Sequence, residues 1–108
     1  MAEATAFVIA NFTIHDADTY RIYEKGFFPI LKKHGGTFHT YDDNNANLEG
    51  DAPPEGRVVL FQFPSEEAAR NWYNDPDYQA LSENRRAGTK LNFLTIVHGL
   101  PPRSEPGP

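Results

Sequence analysis

RVVLFQFPSEEAARNWYNDPDYQAL, residues 57–81, is the stretch from which the fold class follows. Residues 57–63 are dense in β-branched and aromatic side chains and read as a strand. Pro64 closes it, because a proline has no N–H for a further ladder hydrogen bond. Ser65 then offers an oxygen to the free N–H groups of a helix start, and Glu66 and Glu67 stand where the helix dipole favours negative charge. Ala68, Ala69, Trp72 and Tyr73 carry the apolar face of that helix. Asn74-Asp75-Pro76 interrupts it and opens a continuation with Pro76 in the first position, running through Tyr78 and Leu81 to Gly88.

Working outward, residues 90–98 (KLNFLTIVH) give a last strand, and residues 5–14 (TAFVIANFTI) give a first one with apolar residues on both faces. Asp16 caps a helix whose buried face is Tyr20, Tyr23, Phe27, Ile30, Leu31 and His34 at three- to four-residue spacing. Pro29 is expected to kink it, and Gly35-Gly36 end it. Residues 37–41 (TFHTY) alternate as a second strand, expected to be long and irregular and to return through residues 47–50. The order strand, helix, strand, strand, helix, strand predicts an α+β domain with a four-stranded antiparallel sheet and both helices on one face, the ferredoxin-like βαββαβ arrangement, over residues 1–99. The Pro-rich tail, residues 100–108, belongs to no core. The sheet face away from the helices is apolar and bare, so a homodimer closing a barrel over it is expected.

Composition narrows the chemistry. A chain of 108 residues with a net charge of −5 and only 10 Lys plus Arg lacks the basic stripe that phosphate backbones require, so nucleic acid is not an expected partner. Without cysteine there is no disulfide, thiolate nucleophile or Cys-ligated metal. The N-terminus has no basic region ahead of its apolar run, and no stretch approaches spanning length, so neither a signal peptide nor a membrane partner is expected and a cytoplasmic location is. The four histidines show no ligand spacing, so no metal and no other cofactor is expected.

His39 is the best acid/base candidate, since histidine alone normally titrates near neutral pH. Alternation places Tyr41 on its face of the second strand, so one ligand would touch both. On the first strand, Val8, Ala10, Phe12 and Ile14 face the helices, which points Asn11 into the barrel, where its amide needs a partner or a ligand. Arg57 is expected beside Glu49, either as an ion pair or as an anion-binding guanidinium for a carboxylated substrate. Trp72, with Tyr73 and Tyr78, either caps a pocket between helix and sheet or belongs to the core. Arg85 and Arg86 fit the negative end of a helix dipole on a solvated face.

The element order, together with ATAFVIANFTIHDADTYRIY, the helix-ending HGG, LEGD, and the FPS, WY and PDYQ portions of residues 57–81, resembles the domain-of-unknown-function family 1330 over residues 5 to about 99. The resemblance implies the dimeric α+β barrel superfamily, which includes muconolactone isomerases, polyketide cyclases and heme-degrading monooxygenases. It implies no single reaction. That family often has a carboxylate where Gln62 stands and an Asp where Asn92 stands; both become hydrogen-bonding substrate candidates here. The heme-degrading members need a histidine along the second helix, and residues 74–88 contain none. The function these features lead to expect is binding of a small, flat, carboxylated or aromatic molecule by the dimer, with a cofactor-free isomerisation, cyclisation or lactone-type step. The alternatives are a non-catalytic metabolite- or protein-binding module, and a cofactor-independent monooxygenase.

Overall fold

A computed structural model describes residues 4–100, so the expected tail lies almost entirely outside the described residues. The elements are β1 (Ala6–Ile14), α1 (Ala17–Lys33), β2 (Thr37–Asp42), β3 (Arg57–Phe63), α2 (Glu66–Asn74), α3 (Pro76–Gly88) and β4 (Thr89–His98). All strand pairs are antiparallel in the order β2-β3-β1-β4, the ferredoxin-like arrangement. Among the described residues no helix is long and apolar enough to cross a membrane.

The local signals act as their chemistry requires. The Asp16 carboxylate accepts from Thr19 N–H, Ser65 Oγ from Ala68 N–H, and Asp75 from Asp77 N–H, so each helix begins on a side-chain cap. Asp75 is the boundary between α2 and α3 and also accepts from Lys33 Nζ at 2.9 Å and His34 Nε2 at 2.8 Å, tying the end of α1 to the start of α3. These contacts hold its carboxyl below the ordinary range, the His34 and Lys33 hydrogen bonds first. His34, on the face of α1 expected to be buried, is thus mostly covered.

Val8, Ala10 and Phe12 face the helices as expected, packed with Val59, Phe61, Phe63, Trp72 and Tyr78. Gly26 marks the tight approach of α1 to α3, where a Cβ would stand 2.8 Å from Leu81 Cδ1. Two expectations are corrected. The second strand is short: after Asp42 the chain makes no ladder until Arg57, because Asx-type bonds such as Asn44 N–H to Asp42 Oδ1 and Asn47 Nδ2 to Gly50 O satisfy this polar stretch locally. Glu49, in that exposed stretch, is therefore not the partner of Arg57.

Candidate functional site

A single bulge decides which candidate residues meet. Along the β2–β3 ladder Phe38 pairs with Phe61 and Thr40 with Leu60, leaving His39 as the extra residue. Phe38 and Tyr41 consequently face the helices, while His39 turns to the open side of the sheet. There its Nε2 is hydrogen-bonded to Gln62 Oε1 and its ring lies 6.3 Å from that of Phe7. His39 and Tyr41, expected on one face, are on opposite faces, since a bulge breaks the two-residue alternation.

Asn11 also points to the open side, 1% exposed, and it is fully engaged. Its Nδ2 donates to Glu55 O at 2.9 Å and Arg57 O at 3.0 Å, and its Oδ1 accepts from Asn92 Nδ2 at 2.8 Å. Asn92 is itself the extra residue of a second bulge, between the Asn11–Phe93 and Phe12–Leu91 pairs. The pair pins the chain before β3 against β1 and β4. Gly56 is required there, with φ +80° and only 2.5 Å between an added Cβ and Phe12 O. The open side also exposes apolar side chains, with Phe93 and Val97 over 40% exposed.

The helix side holds a cavity of about 240 Å³, walled by rings of α1 and the sheet, among them Tyr20, Tyr23, Phe27, Phe38 and Phe61. Phe28 and Tyr41, each about half exposed, stand at its solvent side. Arg57 lies at its edge, clamped by Asp43 through Nε at 2.7 Å and Nη2 at 2.9 Å, with Glu24 at 3.3 Å and the Tyr41 ring 4.2 Å from its Cζ. The Asp43 hydrogen bonds raise the Arg57 pKa further and lower that of Asp43. Burial pushes the Tyr20 hydroxyl up to about 12, although Arg57 pulls the other way, so Tyr20 is a neutral donor at physiological pH. Tyr23 and Tyr78 share a buried hydrogen bond of 2.7 Å, and burial raises Tyr23 well above its ordinary value.

Behind this cavity a wider cleft of about 850 Å³ runs between α2, α3 and β4. Trp72 lines it, 1% exposed and packed with ring centroids 4.1 Å from Tyr78, so it is both core and wall. Arg85 lines cavity and cleft alike and is 4% exposed, not solvated as expected from its helix-end position. Its spacing gave the signal: Tyr78, Ser82 and Arg85 lie on one helical face, so Arg85 follows Tyr78 inward.

Of the candidates, Tyr41, Arg57 and Trp72 gather on the helix side; His39, Gln62, Asn11 and Asn92 lie on the open side in two separate groups. Among the described residues no three His, Asp or Glu side chains cluster as metal ligands.

Comparison with known proteins agrees with this architecture. A family model described as "Domain of unknown function (DUF1330)" matches residues 5–100. No curated protein matches the chain in sequence. Among solved structures, the protein of unknown function RPA0582 from Rhodopseudomonas palustris superposes with a TM-score of 0.70 at 17% identity, covering 95% of this chain and 85% of that one. SnoaB, described as a cofactor-independent oxygenase from Streptomyces nogalater, gives 0.60 at 16% identity over 96% and 100%. A dimeric ferredoxin-like protein of unknown function from Thermobifida fusca gives 0.50 at 18% identity over 90% and 91%. At these identities the likeness is one of fold.

Proposed function

The chain belongs to the DUF1330 family, and from that premise we propose that it binds a small, flat organic molecule between its helices and its sheet and promotes a cofactor-free isomerisation or cyclisation there. The observation that carries the proposal is the aromatic cavity of about 240 Å³ edged by hydrogen-bond donors. A cavity of roughly 150 Å³ already admits a benzene ring, so one or two fused rings match this space. Tyr20, kept neutral by burial, and Arg57 are donors suited to negative charge developing on a carbonyl oxygen. Glu24 is the carboxylate of the lining, which makes it the candidate proton acceptor in place of His39. The step is the removal of a proton next to a carbonyl to form an enolate; the proton then returns at another carbon, or the enolate carbon bonds to an internal carbonyl carbon and the resulting alkoxide takes the proton back.

A homodimer belongs to the same proposal. Phe7, Ile9, Leu60, Phe93 and Val97 share the open side, and a second copy laid across them removes this apolar surface from water. The Thermobifida fusca neighbour, described as dimeric, supports that arrangement at the level of fold.

Native mass spectrometry of the purified protein, under gentle and then denaturing conditions, tests both parts. A dimer that releases a discrete aromatic compound, together with an Ala10→Leu variant that dimerises but carries none, is the expected result; Ala10 lines the cavity, and a larger side chain there fills it. An empty wild-type protein that also fails to bind one- and two-ring compounds in a calorimetric titration removes the cavity as a ligand site, and a monomer removes the dimer.

Among the described residues the cavity lining holds no histidine, which favours a second reading, a binding module without turnover. The readings separate on Glu24→Gln: lost turnover of the released compound with retained binding marks an enzyme, and a compound unchanged by the wild-type protein marks a module. Oxygen consumption with that compound would instead place the chain with the chemistry named for SnoaB.

A further inference from the structure

Arg85 is a buried charge, and two of its three guanidinium nitrogens are orphaned among the described residues. Its Nε and Nη1 meet no hydrogen-bond partner among the described residues, and neither does Nε1 of Trp72, a residue of the same cleft. The nearby polar groups are already committed: the Tyr23 and Tyr78 hydroxyls to each other, Ser82 Oγ to Tyr78 O, and Thr89 Oγ1 to Arg85 O. The Tyr23 ring, 5.8 Å from the guanidinium carbon, offers a weak cation–π contact only. A guanidinium cannot lose its proton to escape burial, and an unpaired buried charge is strongly unfavourable. Such a group persists where it has a purpose in a bound state.

Its position supplies one. Arg85, Leu91 and Leu94 form the seam between the aromatic cavity and the cleft, so an anion on the guanidinium belongs to a molecule whose body occupies one of those spaces. Unlike Arg85, the other cations at hand each face a carboxylate of the protein: Arg57 faces Asp43 and Glu24, Arg70 faces Glu66, and Arg86 faces Glu83. One planar guanidinium fork with an indole N–H beside the same cleft matches a singly charged, planar acceptor. We propose that Arg85, assisted by Trp72 Nε1, is the anion seat of the helix–sheet site, and that its ligands are flat aromatic carboxylates whose rings lie in the cavity. This rests on the cavity reading above and names its substrate class.

The test is calorimetric titration of the full-length protein with benzoate, 4-hydroxybenzoate and 2-naphthoate, each set against its own carboxamide. The wild-type protein is expected to favour acid over amide by at least about ten-fold, the discrimination that one charge-assisted hydrogen bond provides. Arg85→Met is expected to abolish that preference while raising Tm without ligand, since it replaces an unpaired buried charge by an apolar side chain of similar length. Equal binding of acid and amide by the wild-type protein overturns the anion seat and leaves the cavity reading standing; failure of every acid and amide to bind overturns both. A fall in Tm for Arg85→Met also overturns the seat, because it means that the guanidinium stabilises the unliganded fold.

Discussion

The two faces of the sheet carry polar groups in opposite states. On the open face the buried amide is saturated: Asn11 uses both amide hydrogens and its oxygen within the protein, with Asn92 completing that set, while the exposed His39 is joined to Gln62. On the helix face, rings enclose a space bordered by the Arg85 guanidinium, whose Nε and Nη1 have no partner among the described residues, and the adjoining cleft is lined by Trp72, whose Nε1 has none either. Saturated buried polar groups lock a backbone in place, whereas unfilled ones are costly unless a second molecule completes them. The contrast supports an architectural role for the open face and the proposed binding on the helix face.

The comparison is first sharpened by truncating each face in turn. Phe61→Ala removes a ring that is 2% exposed and packed against Phe27, Phe63 and Trp72, and is expected to cost about 3–5 kcal/mol, a large share of a small domain's stability. Chemical denaturation measures it. A loss under about 1 kcal/mol would mean that the cavity wall is loose and that the helix face is no true core.

Asn11→Ala leaves the Glu55 and Arg57 carbonyls and the Asn92 amide without their partner, at about 1–3 kcal/mol. Binding of an aromatic ligand by the refolded variant is expected to match wild type. If stability holds and binding falls, Asn11 is a ligand contact and the saturated face is the functional one.

Much of the fold was readable because its signals are local. Ser65, Asp75 and Pro76 each act within one helical turn, and the Val8, Ala10 and Phe12 alternation needs only an unbroken strand. The site was less readable because it depends on where alternation fails. Nothing in TFHTY marks His39 as the residue without a partner across the ladder; the bulge arises from pairing with β3 and reverses the relation of His39 to Tyr41. Arg85 was legible in principle from its spacing to Tyr78, but charge at a helix end suggested solvent instead. Arg57 meets Asp43 rather than the expected Glu49, because residues 43–56 form no return strand.

A smaller effect tests the helix layer that roofs the cavity. The Asp75 carboxyl lies below its ordinary value when folded, because it accepts from His34 and Lys33, so its contribution is complete above the unfolded carboxylate range near pH 4 and is lost as pH falls further. Asp75→Asn keeps a capping oxygen for Asp77 N–H but removes the charge. The variant is expected to melt modestly lower at pH 7 and to converge with wild type as pH drops below that range. Parallel melting curves at all pH values would show that the cap alone matters.

The smallest expected effect is the most discriminating. His39 is exposed, bonded only to Gln62, and separated by the sheet from the aromatic cavity. His39→Ala should change stability by no more than about 0.5 kcal/mol, the usual range for a surface position. It should also leave the affinity for an aromatic acid unchanged, whereas Arg85→Met does not. If His39→Ala abolishes ligand binding instead, the ligand sits on the open face between two copies of the chain. The unfilled donors of Arg85 would then have to be met by water, and the division of labour between the two faces would be reversed.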